Sequence, residues 1–439
     1  MLTSSSSALI AGEAFAQTAL TWSQCAAQAL DQNPELRTAM ANVRSSQFQQ
    51  NVARSDYFPQ VSAKISASRS NSGSSSFGSN SIGSGSTTGP TTLSATTTTS
   101  SNGGPQDTAS QTLSLTQNIF SGFQTDSKVK QAKANADSAL AAFNLKSAQV
   151  NLDLKSAFAD LQFAQNNVKL TQDITRRREE NYKIVALRYQ SGNENKGSLL
   201  LSKASLNQAK FEQLQAKNSI GVSSTQLAKV LGREDGPVLT VLGDVPKEPI
   251  QQNIDFVHLV LAVPESQQAL AQYRSAKSGV DLAMSAYYPS LNLSSDAGRQ
   301  EIVDGNDRNR WDVGLTLSVP LFSGGKDYYG VKSAKAQSIA ASSNIDTVEK
   351  QVLFKLKQSF TGYVEAVEKV SVDKSFVEAA LTRSEIARSK YDNGLLSFED
   401  WDIIENDLIS RQKAFIQSER DRIKAQASWE QAQGKGVKV

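Results

Sequence analysis

The sequence predicts a mostly α-helical chain that carries four amphipathic β-strands and is organised as two copies of one pattern. Three observations support this. Motifs recur at fixed offsets along the chain. Short segments alternate apolar and polar residues, the period of a strand with one buried face. Two stretches of about seventy residues contain no proline and space their apolar residues three to four apart, as one face of a helix requires.

The repeat fixes the order of the elements. Asn33-Pro34-Glu35 and Val263-Pro264-Glu265 lie 230 positions apart, as do Tyr57-Phe58-Pro59 and Tyr287-Tyr288-Pro289. Farther on the offset is 202: Ile119-Phe120-Ser121-Gly122 matches Leu321-Phe322-Ser323-Gly324, and Arg188-Tyr189-Gln190-Ser191-Gly192 matches Lys390-Tyr391-Asp392-Asn393-Gly394. The difference, 28 residues, falls in the Ser/Thr/Gly-rich tract between the first two strands. A tract of that composition buries no core and is expected to be a surface loop over 70–109. Each half then reads helix, strand, strand, long helix, shorter helix. The division expected is 17–232 for the first repeat, 233–254 for a linker at the equator of the helices, 255–434 for the second repeat and 435–439 for a tail.

In the first half a helix is expected over Leu20–Asp56, with strands at about 60–69 and 110–119. In the second half the strands are expected at about 290–298 and 311–320. Trp311, Val313, Leu315, Leu317, Val319 and Leu321 alternate there with polar or small residues. The long helices are expected at Phe123–Gln190 and Lys326–Asn393. Their stripes are Val150, Leu154, Phe158, Leu161 and Val168, and at the mate positions Val352, Leu356, Phe360, Tyr363 and Val370. At 1.5 Å per residue each would be about 100 Å long, more than an ordinary globular domain holds.

Composition narrows the function. The chain has 439 residues and a formal net charge of +3, so no polyanion is implied as a partner and no nucleic acid is expected. It has no run of eighteen apolar residues, so membrane entry would have to rest on strands. The single cysteine, Cys25, excludes an intrachain disulfide and reads as a small buried helix residue. The single histidine, His258, cannot form a metal site by itself. No nucleophile–base set, metal cluster or phosphate loop stands out, so no enzyme and no cofactor is expected. Residues 1–16 read as the remnant of an export signal ending in Ala14-Phe15-Ala16, the alternative being a cytoplasmic tail.

Four alternating strands of about ten residues match the length that crosses a bilayer at a tilt. Aromatic residues gather where strands meet helices: Tyr57, Phe58, Phe120, Tyr287, Tyr288 and Phe322, with Phe123 beside them. Trp311 marks the other end of its strand. This is the pattern of an interfacial girdle. Four strands cannot close a barrel, and open edges in lipid leave unpaired backbone groups, so several copies would have to pool their strands.

The paired Tyr-x-Pro and Phe-Ser-Gly junctions, the two-fold repeat and "KYDNGLLSFEDWDIIENDL" resemble the TolC-like outer-membrane efflux proteins, over residues 20–434. The resemblance implies a homotrimer with a twelve-stranded barrel in the bacterial outer membrane and a helical barrel in the periplasm. It implies the exit duct of a tripartite efflux or type I secretion system. The partners would be a periplasmic adaptor and an inner-membrane pump of the resistance-nodulation-division or ATP-binding-cassette type. The alternative is a soluble periplasmic coiled-coil scaffold without channel activity.

By the same resemblance Tyr189, Gly192, Ser198 and Gly394 belong to helix tips that meet the adaptor, and Asp400 and Tyr391 are candidates for a constriction. Asp400 reads equally well as a carboxylate stabilising a helix N-terminus. Leu396 stands where an arginine would brace a closed state, Ile403 where a second constriction aspartate would be, and Ser198 at the mate position of Asp400. Arg176-Arg177-Arg178-Glu179-Glu180 is expected to be a solvated helix face with local pairing. Asp304-Gly305-Asn306-Asp307 is expected to be a surface loop.

Overall fold

The computed structural model describes residues 19–70, 106–234, 236–250, 253–302 and 308–437. The signal remnant, residues 71–105 of the Ser/Thr/Gly-rich tract and the loop Asp304–Asp307 lie outside them.

The chain opens with β1 (Ala19–Thr21) and α1 (Trp22–Gln32). Thr21 and Gln24 form a capping box, each side chain bonding the other's backbone N–H. The helix expected over Leu20–Asp56 is two helices, because α2 (Pro34–Ser55) begins afresh after Asn33. A proline pushes the residue before it out of the helical region. Asn33 uses the break: its Oδ1 accepts the N–H groups of Glu35 and Leu36, and its amide donates to the Val230 carbonyl.

There follow β2 (Gln60–Ser70), β3 (Gln106–Phe120), α3 (Gln124–Gln190) and α4 (Lys196–Leu231). The linker holds β4 (Thr240–Leu242); the second half begins with α5 (Phe256–Ala262) and breaks again before Pro264 into α6 (Pro264–Met284). A 3-10 turn at Ser285–Tyr287 leads to β5 (Ser290–Ile302) and β6 (Arg308–Ser318), then to α7 (Lys326–Asp392) and α8 (Phe398–Ala432). Both long helices have 67 residues. β6 ends at Ser318, short of the expected 320, where Pro320 has no N–H for a ladder.

The chain divides into two units. One comprises residues 1–49, 131–277 and 336–439, and the regular structure of its described residues is helical apart from a parallel pair, β1 with β4. Three apolar clusters fill it. The first gathers Val150, Leu154, Phe158 and Leu161 of α3 with Cys25, Leu227 and Leu231. The second gathers Val352, Leu356 and Tyr363 of α7 with Val260 and Trp429. Most of the two stripes read from the sequence lies in these clusters; Val168 and Val370 at their ends are half-buried outside them, and Ile423 of α8 joins the first cluster. The third cluster, Val185, Ala387, Tyr391, Phe398 and Trp401, lies where the long helices end.

A buried polar group joins α3 to α8 within this unit. The Lys155 ammonium donates to Glu430 Oε1 at 2.5 Å, Gln426 donates to the same oxygen and Asn151 to the other. The Cys25 thiol is sealed from solvent, and burial pushes it up to about 11. His258 is an exposed residue of the first turn of α5, its N–H taken by Asp255.

The other unit comprises residues 50–130 and 278–335. It is built on a four-stranded antiparallel sheet of order β2-β3-β5-β6. Among the described residues, β2 and β6 are its edges. No helix among the described residues is long and apolar enough to cross a membrane.

Candidate functional sites

The strand registers sort the sheet's side chains into two faces. Val61 pairs with Leu115, Ala63 with Leu113, Leu291 with Leu317 and Leu293 with Leu315. Successive side chains point to opposite sides of a sheet, so these residues share one face. The other face carries Ser62, Lys64, Ser66, Ser110, Thr112, Ser114, Thr316 and Ser318, where Ser66 and Ser110 bond hydroxyl to hydroxyl at 2.8 Å. The polar side is the ordinary one. The apolar side is open: Ile65 is 81% exposed, Trp311 77%, and Val313, Leu315 and Leu317 each 63%. An uncovered apolar face of this extent marks an interaction surface. The strands have 11, 15, 13 and 11 residues, enough to cross a bilayer at a tilt.

The antiparallel order puts the starts of β2 and β5 and the ends of β3 and β6 at one end of the sheet. Tyr57 and Phe58, Tyr287 and Tyr288, Phe120 and Phe322 therefore all gather at that end, with Trp311 toward the other. Phe120 is half-buried and the other girdle residues are exposed. Phe123 meets Phe120 and Tyr288 edge-on at 5.4 and 5.8 Å.

The second site is the end of the helical unit, where α3 turns into α4 and α7 into α8. Both turns close on a left-handed glycine, Gly192 (φ 76°) and Gly394 (φ 74°). The next residue's N–H reaches back to Arg188 in one turn and to Lys390 in the other, the usual bond pattern of such a C-cap. Asn195 and Ser397 then cap the following helices, accepting the N–H groups of Ser198 and Asp400. Asp400 is exposed, and its carboxylate accepts the Ser397 hydroxyl at 2.7 Å. In this chain it is thus a first-turn carboxylate of α8. Tyr189, Gly192 and Gly394 are exposed, whereas Ser198 is buried under its cap and offers a partner no side chain in this conformation.

Tyr391 is fully buried. Its ring stacks on Trp401 at 4.4 Å and lies under the Arg188 guanidinium at 4.7 Å. Its hydroxyl donates to Glu194 Oε2 at 2.9 Å, and Arg188 donates to its carbonyl at 2.8 Å. Burial, then the Glu194 carboxylate, push the phenol well above the usual tyrosine range. At Glu194 burial opposes the charge. The Asn195 N–H, the Tyr391 and Ser198 hydroxyls and Arg188 outweigh it and hold the carboxyl below the ordinary glutamate range.

The arginine run corrects the sequence reading. Arg176 does pair locally, with Glu180 and Asp173. Arg177 and Arg178 instead reach across to α8. Arg178 donates to Asp402 Oδ1 at 2.7 Å and to Asn406 Oδ1 at 2.5 Å. Arg177 donates to Glu405 Oε2 at 2.5 Å, and the Ser384 hydroxyl of α7 bonds the other Glu405 oxygen. Arg388 of α7 returns to Glu180 at 3.3 Å. One belt of charge, buried at Arg178 and Glu405 and half-exposed at Arg388 and Glu180, thus binds α3, α7 and α8 together near the turns. The clue in the sequence was Asp402, Glu405 and Asn406, whose three- and four-residue spacing puts them on one helix face opposite the arginines.

The sequence profile of the outer membrane efflux protein family matches residues 26–233 and 263–435. The chain belongs to the outer membrane efflux protein family. Its place is the outer membrane, and the TolC-like resemblance read from the sequence holds. The chain is 23% identical over 286 residues to the alkaline protease secretion protein AprF of Pseudomonas aeruginosa, covering 63% of this chain and 59% of AprF. It thus spans about six-tenths of that relative's length. It is 21% identical over 408 residues to the outer membrane efflux protein BepC of Brucella suis, covering 91% of this chain and 82% of BepC. Its fold is shared with the outer membrane protein VceC of Vibrio cholerae: TM-score 0.75, 20% identity, 95% of this chain and 96% of VceC.

Proposed function

We propose that this chain is the outer-membrane exit duct of an export system. It works as a homotrimer whose copies pool four strands each into a twelve-stranded barrel and their helices into a periplasmic tube. The observation that carries this reading is the sheet: one face apolar and uncovered, the other hydroxyl-rich, with two open edges. In lipid an open edge costs several kcal/mol for each unpaired backbone group, so closure by further copies is what a membrane requires of such a sheet. The hydroxyl-rich face then lines a water-filled lumen. A soluble scaffold has no use for the uncovered apolar face.

The duct is passive, and the free energy comes from an inner-membrane pump of the resistance-nodulation-division or ATP-binding-cassette type, joined through a periplasmic adaptor. The adaptor docks on the exposed turns at Tyr189, Gly192 and Gly394. The charge belt and the Tyr391–Glu194 bond keep the turns drawn in until it does. Asp400, one copy per chain around that mouth, gives an acidic ring that favours cations. The test is single-channel conductance of the purified chain in a planar bilayer, beside Asp400→Ala. Cation-selective conductance that loses selectivity in the variant supports duct and ring together. Conductance unchanged in the variant removes the ring. No conductance from folded, membrane-inserted protein refutes the duct.

A further inference from the structure

The two hairpins of the sheet are copies of one pattern, and they differ in charge at one place. Residues before the Ser/Thr/Gly-rich tract have mates 230 positions on, and residues after it have mates 202 on. Ser66 and Ser110 of the first hairpin, β2–β3, therefore correspond to Asp296 and Asp312 of the second, β5–β6. The two serines stand opposite one another and bond hydroxyl to hydroxyl, as Ser68 and Thr108 do at 2.8 Å in the next row. Asp296 and Asp312 also stand opposite one another. Like charges directly opposed in a sheet are unfavourable, so this pair weakens its hairpin where the serine pair supports the other.

The row after the aspartates is basic. The mates of Ser68 and Thr108 are Gly298 and Arg310, and one row farther Arg308 stands opposite Gln300. A Cβ on Gly298 would lie 2.5 Å from the Gln111 carbonyl oxygen, so the position opposite Arg310 takes no side chain. Asp312, Arg310 and Arg308 alternate along β6 with Trp311 and Val313, which puts them on the polar face with Thr316 and Ser318. All three are exposed, and Asp296 is half-buried. The carboxylates lie toward the helical end of the sheet and the guanidiniums beyond them. Among the described residues Lys64 is the one charge on the polar face of β2–β3.

In the duct proposed above the polar face lines the lumen, and three copies of the charged hairpin surround it. Twelve strands about 4.8 Å apart and tilted about 40° close on a backbone radius of about 12 Å, and inward side chains narrow it. The Debye length is about 10 Å at 0.1 M salt, so the field of wall charges reaches most of the bore. Successive rows on one face lie about 6.7 Å apart along a strand, so an ion near the wall meets the two signs in turn.

We infer that the β5–β6 hairpin is a charge filter of both signs within the barrel, its inner layer Asp296 and Asp312 and its outer layer Arg310 and Arg308. A cation arriving from outside is opposed by the guanidiniums, and an anion they admit is opposed by the carboxylates beneath. Cargo that is uncharged or carries both signs meets no such opposition. The inference rests on the duct and assigns part of its selectivity to residues far from the helix tips. The test is the reversal potential of single channels of the full chain in a planar bilayer, under a potassium chloride gradient near 0.1 M. Asp296→Asn with Asp312→Asn is expected to lower the potassium-to-chloride permeability ratio at least threefold. Arg308→Gln with Arg310→Gln is expected to raise it at least threefold, while Arg308→Lys with Arg310→Lys and Ser66→Ala with Ser110→Ala leave it in place. Both shifts should shrink at 1 M salt, where the Debye length is about 3 Å. A neutralised pair that conducts with an unchanged ratio, two pairs that shift it the same way, or a lysine pair that shifts it as far as glutamine overturns the filter and leaves the duct standing. No conductance from the unsubstituted, membrane-inserted chain overturns the duct and the inference with it.

Discussion

Arg178→Ala separates two roles for the charge belt. The Arg178 side chain is 7% exposed and that of Asp402 14%, and the guanidinium makes two short bonds, to Asp402 and to Asn406. Removing one partner of a buried pair costs about 3–5 kcal/mol, chiefly through the charge left behind. Here Asp402 keeps the Asn406 amide at 2.9 Å, and truncating a long side chain admits water. The cost therefore falls to about 2 kcal/mol, or roughly thirtyfold in an equilibrium. If the belt holds the turns drawn in, that loss falls on the closed state, and open probability in planar bilayers rises by up to about thirtyfold from a small resting value. Arg178→Lys keeps the charge and loses the fork, and should lie between. Conductance unchanged in Arg178→Ala, with thermal stability lowered, would refute the reasoning: the belt would then brace the fold and play no part in opening.

Three further outcomes follow from the structure. Glu194 is held below its ordinary value of 4.5, so its contribution to the tip is present above that value and is lost as pH falls through the lower folded one. Channel opening should therefore increase on acidification below the ordinary range, and Glu194→Gln should flatten that dependence. Glu430→Leu leaves the Lys155 ammonium buried alone and should cost about 3 kcal/mol in denaturant unfolding, part of which Lys155→Met in the same chain should restore. Leu315→Arg places a charge on the apolar face and should reduce assembly into membranes, by about 2–4 kcal/mol at mid-depth, whereas Thr316→Arg on the other face should assemble normally and alter ion selectivity.

Much of the fold is legible because its signals are local and long. A 67-residue helix repeats its stripe many times, and four alternating strands declare their faces. The breaks at Asn33 and Val263 escape a reading based on periodicity, because the apolar pattern continues through them; only the following proline marks them. β1 and β4 have three residues each, too few for any period, and exist through each other. At the tips the motif was legible and its environment was not. Tyr189 and Tyr391 are mates in the repeat, yet one is exposed and the other sealed beneath Arg188, since only tertiary contacts decide which copy of a motif is covered. The arginine run failed for the same reason: local carboxylates offered a sufficient account, and the true partners lie more than two hundred residues away.

The middle pairing of the sheet sets a timetable for biogenesis. β3 cannot meet β5 until the whole of α3, α4 and the linker has been made, because Leu113 and Ala297 are separated by most of a repeat. Pairings so distant in sequence are slow to form. The last strand among the described residues, β6, is followed by two more helices, so the apolar face is complete before the chain is finished. Left uncovered, that face is an aggregation hazard in water. For a protein arranged this way, yield should be limited by delivery and assembly more than by the stability of the finished fold.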